Sequence, residues 1–181
     1  MQNIATGMLL TFLNFNLDIG ASRIGLIPTF VGYIFMAVGL WELKEYSGHF
    51  IRVRPLVKIM AVYTGILYVI DFLGLSTADE TSGFFWLGLL LGLISLIVSL
   101  FISHRIIMGI KDIEEAQVRD LNSGPLYSAW RLQAIFLCLS YLFIAIIPVV
   151  ALICIIIGFF VAISYIVMFY KTKNLFYEEA Y

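Results

Sequence analysis

The sequence predicts an all-α integral membrane protein, a bundle of six transmembrane helices with both termini in the cytoplasm. Three observations carry that prediction. Of the 181 residues, 62% are apolar and 13% charged, with a mean hydropathy of +1.00, against about 45–50% and about 25% in soluble domains. The apolar residues gather in runs close to the ~20 residues that a helix needs to cross a ~30 Å hydrocarbon core. The basic residues fall almost entirely on one side of the topology those runs imply. Apolar surface in such excess cannot be hidden inside a globule of this size, which excludes a soluble enzyme and a disordered chain. A net charge of −1 offers no basic field for nucleic acid.

Taken in order, the expected spans are 4–17, 24–43, 55–74, 83–104, 127–147 and 149–170, all in a single transmembrane domain. The first run has no basic n-region (Met1-Gln2-Asn3) and no small-residue cleavage site after it, so it is expected to be retained as a span. Residues 132–170 form one apolar run. As a single helix it would be about 58 Å long, twice the core thickness, so it should fold back on itself. Ile147-Pro148 is the natural break, because proline removes a donor and disfavours helix in the preceding residue. The alternative, a five-span chain with 132–170 as one helix, would put Lys171 and Lys173 outside.

The charges test this count. Lys44, Arg52, Arg54 and Lys58 surround the second connection, Arg105, Lys111, Arg119 and Arg131 the fourth, and Lys171 and Lys173 follow the sixth span. The third connection, 75–82, carries only Asp79 and Glu80, and the turn at Pro148 is uncharged. Ten of the eleven basic residues therefore share a side, Arg23 being the exception.

Residues 105–121 are expected to be a cytoplasmic extension of the fourth helix with a solvated face, Lys111/Glu115 and Glu115/Arg119 standing at i,i+4 spacing, stopped by Asn122-Ser123-Gly124-Pro125. The aromatic, acidic segment 174–181 suits the headgroup boundary. Cys138 and Cys154 have no CxxC or Cys/His spacing and are expected to be buried apolar side chains, not a metal or disulfide site. Helix faces are marked by small residues: Gly25, Gly32 and Gly39 in the second span, Gly88, Gly92, Ser95, Ser99 and Ser103 in the fourth, Gly158 and Ala162 in the sixth. They read as intramolecular packing, with a homo-oligomer or membrane-protein partner as the alternative.

The first run is too short to span: Ile4 to Leu17 covers about 21 Å as a helix. Its far end carries Asn14, Asn16 and Asp18, followed by Arg23. Polar groups at that depth require partners or water. Asp71 lies sixteen residues beyond Pro55, about 24 Å along a helix and so at a similar depth. Asn14, Asn16, Asp18, Arg23 and Asp71 are therefore the candidate ligand-binding residues, surrounding one outward-facing polar recess. Two acids against one base favour a small cation or a proton. The competing reading is an ion pair with amide hydrogen bonds that pins the first three helices.

Three motif-like strings do not carry chemistry. Glu114-Glu115-Ala116-Gln117-Val118-Arg119 matches the EExxxR string of proteases similar to the CAAX-processing family, but no histidine follows it. Ser47-Gly48-His49 and Arg54-Pro55 match pieces of a lipid-phosphatase signature in the wrong order. His104-Arg105 reads as an interfacial anchor. No catalytic residue, cofactor or metal is expected.

The stretch Gly25-Leu26-Ile27-Pro28-Thr29-Phe30-Val31-Gly32-Tyr33-Ile34, with Gly39-Leu40-Trp41-Glu42-Leu43, resembles the N-terminal hairpin of small uncharacterised bacterial multi-pass membrane proteins. The resemblance implies a bacterial cytoplasmic membrane and no particular activity. In size, span count and orientation the chain is also similar to the substrate-binding subunits of energy-coupling vitamin transporters. The expected function is to bind or pass a small solute or ion through the recess. The alternatives are a structural or accessory membrane protein without ligand and, third, a membrane-embedded enzyme.

Overall fold

A computed structural model of the protein describes residues 1–12, 16–19, 22–25, 28–73, 83–144 and 146–178. Among them the chain forms six helices and one two-stranded hairpin: α1 (Gln2–Phe12), β1 (Asn16–Ile19), β2 (Ser22–Gly25), α2 (Thr29–Glu42), α3 (Gly48–Phe72), α4 (Gly83–Gln117), α5 (Ser123–Ile144) and α6 (Pro148–Glu178). Four of these, α3 to α6, are long and apolar enough to cross a membrane.

The first two expected spans are not continuous helices of spanning length. α1 and α2 have 11 and 14 residues, about 16 and 21 Å. Between them β1 and β2 pair antiparallel, with Asn16 opposite Gly25 and Asp18 opposite Arg23. The local chemistry explains it. Asn, Asp, Gly and Ser favour turns over helix interiors, and Pro28, extended at φ −63° and ψ 124°, stands at the N-cap of α2. Gly25 accordingly lies in β2 and not on the glycine face of α2.

Ile147-Pro148 separates α5 from α6 as expected, and the two helices pack against each other more extensively than any other pair. This overturns the single-helix alternative for 132–170.

The helices alternate in direction. Asn3 Nδ2 donates to Glu42 Oε1 at 2.6 Å, and Tyr46 and Phe176 rings meet at 5.9 Å. The backbone nitrogen of Gln2 lies 3.4 Å from Tyr177 Oη, and His49 on α3 meets Arg105 on α4. These contacts gather the start of α1, the α2–α3 connection, the end of α4, the start of α5 and the end of α6 at one end, termed the near end. All ten basic residues other than Arg23 lie on segments at or toward it.

Most of the largest buried side chains also sit toward the near end: Met1, Ile4, Leu40, Phe50, Ile102, Ile106, Ile107, Ile110, Ile113 and Phe169 are each at most 2% exposed, while Tyr165 and Met8, equally buried, meet further along α6 and α1. The segment expected as a solvated extension of the fourth helix is thus corrected. Its polar edge is solvated, but four isoleucines at positions 106, 107, 110 and 113 are inserted into the core. α4 also stops at Gln117 rather than 121. Val118 takes a left-handed φ of 51°, and Arg119 N–H returns to Glu114 C=O at 3.2 Å, a Schellman-type closure. Toward the far end many of the large described apolar side chains of α3 to α6 face outward, among them Val62, Ile66, Ile94, Ile97, Leu142, Val149, Leu152 and Phe160. A continuous apolar belt of this kind suits lipid and not water.

Glycines set the α1–α2 spacing. A Cβ at Gly39 would stand 2.7 Å from Ile4 N, and one at Gly32 would stand 2.8 Å from Gly7 O. At Gly92 the obstacle is Tyr141 Oη from α5, and at Gly158 the nearest atom, Phe136 Cβ, leaves 3.5 Å. Cys154 is buried, but Cys138 is exposed on the outer face of α5, contrary to expectation.

Candidate functional site

The sequence-derived site divides between what the structure describes and what it does not. Asn14 lies outside the described residues. Asn16, Asp18 and Arg23 belong to the hairpin, and Asp71 to the last turn of α3. Cross-strand partners and every second residue along a strand share a face. The register therefore puts positions 16, 18 and 23 on one face of the hairpin and 17, 19, 22 and 24 on the other.

β2 packs against α3. Near the start of α2, Phe30 meets the Tyr68 ring at 5.7 Å and lies beside Gly65. The remaining residues of α3, including Asp71, continue past that level toward the hairpin. Two backbone features thus come together here: an antiparallel strand pair with Asn16, Asp18 and Arg23 on one face, and the end of an apolar helix. A free-standing pair of strands leaves half of its backbone donors and acceptors unpaired. Hydrocarbon tolerates such groups only where protein or a water-filled cavity covers them.

A second polar cluster, unforeseen as a unit, sits at the near end. Ser47 precedes α3 and caps it: its Oγ accepts the His49 N–H at 3.1 Å and donates to Asp112 Oδ2 on α4. His49 Nε2 stands 3.8 Å from the same Asp112 oxygen, and Arg105 Nη1 lies 3.3 Å from His49 Nδ1. Serine and histidine both address one carboxylate oxygen, so the histidine does not stand between serine and aspartate as a proton relay requires. The arrangement ties the start of α3 to the face of α4 on which Arg105 and Asp112 lie two turns apart. A helix-cap serine before an apolar run was the signal available in the sequence. Asp112, 65 residues away, carried none.

Beside it, Trp130 Nε1 donates to Ser103 Oγ at 3.3 Å, and the Tyr127 and His104 rings lie 5.6 and 4.9 Å from Trp130. His104 therefore belongs to an aromatic group at the near end, the environment of an interfacial anchor. Lys111 and Glu115 form the expected i,i+4 pair at 3.5 Å, while Arg119 lies past the helix end. Among the described residues, no three His, Cys, Asp or Glu side chains converge as metal ligands would. The chain matches no family model, no curated protein and no solved structure.

Proposed function

We propose that the protein crosses a bacterial inner membrane six times with the near end cytoplasmic, and that it binds or passes a small solute or cation at an outward-facing recess. In this reading the α1–hairpin–α2 arm makes the first two crossings, its helical parts completed by the strands. The recess is formed by Asn14, Asn16, Asp18 and Arg23 with Asp71 of α3. The observation that carries the reading is the polar hairpin itself. Non-helical backbone beside the last turns of a spanning helix is stable only where protein or water meets its unpaired groups. Two carboxylates against one guanidinium leave one negative charge for a cation or proton. The role is non-enzymatic, and no bound cofactor is needed for it.

A structural reading is favoured by one specific feature, the direct cross-strand placement of Asp18 and Arg23, since opposite charges across a hairpin stabilise it by about 0.2–1 kcal/mol. Thermal melts of the wild-type protein, Arg23→Gln, Asp71→Asn and the double variant, over a panel of cations and small solutes, separate the two. A bound ligand at a hundred times its dissociation constant adds about 2.7 kcal/mol. The expected result is a ligand shift on the wild type that Asp71→Asn abolishes while remaining folded. Strong Arg23–Asp71 coupling with no shift from any member of the panel would sink the binding reading.

A further inference from the structure

At the near end, an open cleft of about 180 Å³ runs between the end of α2 and the first turns of α3, lined by Leu40, Trp41, Lys44, Ile51, Arg54, Pro55 and Lys58. Lys44 Nζ lies 3.9 Å and the Arg54 guanidinium carbon 4.2 Å from the centre of the Trp41 ring. Two cations thus share one indole, with a third from Lys58 one turn further along the Arg54 face. Among the described residues no carboxylate stands within ion-pairing distance of Lys44, Arg54 or Lys58. Glu42, the acid nearest in sequence to Trp41, is engaged by Asn3. The Nε of Arg54 is buried and donates to no protein acceptor. Like charges held this close without a counter-charge repel one another, and an anion among them removes that cost.

The surroundings indicate which anion. From the cleft, Ile51, Ile59, Val62, Ile66 and Val69 follow one another along α3 at steps of three, four or eight, each more than half exposed. Beyond Lys58 this apolar strip leads away from the cations for about 16 Å, the length of eleven helical residues. A charged, aromatic mouth with a long apolar track behind it matches a phosphate carrying acyl chains better than a soluble phosphate ester.

We infer that this cleft binds the headgroup phosphate of an anionic phospholipid, with Lys44, Arg54 and Lys58 around the phosphate, Trp41 as its floor and the acyl chains along the exposed strip of α3. The site is distinct from the hairpin recess and stands or falls independently of it.

The test uses the full-length protein, delipidated in detergent, with melts recorded on addition of phosphatidylglycerol, phosphatidylcholine or inorganic phosphate. Phosphatidylglycerol is expected to raise the melting temperature by several degrees, and the other two by far less. Arg54→Gln with Lys58→Gln should abolish that rise. Lys171→Gln with Lys173→Gln removes the same charge elsewhere and should retain it. An equal loss in both variants, or an equal rise with phosphatidylcholine, overturns the inference. A full response to inorganic phosphate overturns the lipid and assigns the cleft to a soluble phosphate instead. Should the cleft variant not fold, a Trp86→Phe/Trp130→Phe protein leaves Trp41 as the reporter. Phosphatidylglycerol with brominated chains should then quench Trp41 at least about twofold more than its phosphatidylcholine counterpart. Equal quenching overturns the inference in the same way.

Discussion

Val118 is a β-branched residue in the left-handed region at the C-terminal closure of α4, with 92% of its surface exposed. Nothing in its packing compensates the strain, because the side chain touches little. Left-handed backbone costs about 1–2 kcal/mol for residues with a Cβ, and glycine escapes it. Val118→Gly is therefore expected to stabilise the protein by about 1 kcal/mol in reversible denaturant or thermal unfolding, less the added freedom of the unfolded glycine. Ser47 argues the opposite way. Ser47→Ala deletes the cap of α3 and leaves Asp112 without its hydroxyl donor, so a loss of about 1–2 kcal/mol is expected in the same measurement. The two differ in what the sequence discloses. Ser47 before an apolar run is a recognisable cap, whereas Val118 looks like one more helical residue until the chain reverses there.

At the scale of elements, packing at the glycines ranks three substitutions. Gly39→Ala and Gly32→Ala bring a methyl group against backbone atoms of α1, which cannot swing aside. Each is expected to lower stability by about 1–3 kcal/mol. Gly158→Ala meets only Phe136 Cβ at ordinary contact distance and should be neutral in the same melts. A neutral Gly39→Ala would show that α1 does not pack on α2 in the folded protein. The existence and approximate limits of α3 to α6 were legible because their apolar runs are long and Pro148 interrupts the longest. The first two helices were misjudged because their outer halves are apolar enough to extend a run, while Asn16, Asp18, Gly20 and Ser22 prefer a turn. Hydropathy registers the former and turn chemistry the latter, and here turn chemistry prevailed. Residues 106–113 failed for another reason. Their charges lie along one edge of α4, and the isoleucines on the opposite edge become core only because neighbouring helices, α3 and α5 among them, pack against α4. The candidate site was legible as a set of polar residues out of place. The cross-strand register of two of its members follows from a hairpin that the expected helices did not contain.

For the whole molecule, alternating helices put Val118 and Ile146 at opposite ends, and both are well exposed. Ser123, an obvious loop position in the sequence, is instead buried at the start of α5 and would label poorly. With Cys138 and Cys154 replaced by alanine, a cysteine at 118 is expected to react with a membrane-impermeant maleimide only in inverted vesicles. A cysteine at 146 is expected to react only in intact cells. Labelling of both from one side would overturn the six-crossing topology. The uneven placement of the core has a further consequence, in time rather than in space. Toward the near end the side chains solvate one another, while toward the far end small residues such as Ala151 and Ser140 are buried and many of the large ones face outward. Opening the near end exposes interlocked isoleucine and phenylalanine, whereas the far end can separate by exchanging helix neighbours for acyl chains. Backbone amides of 102–113 should accordingly exchange with deuterium only through global unfolding. Those at the far ends of α5 and α6 should exchange in a faster, independent phase that slows when the surrounding lipid is ordered.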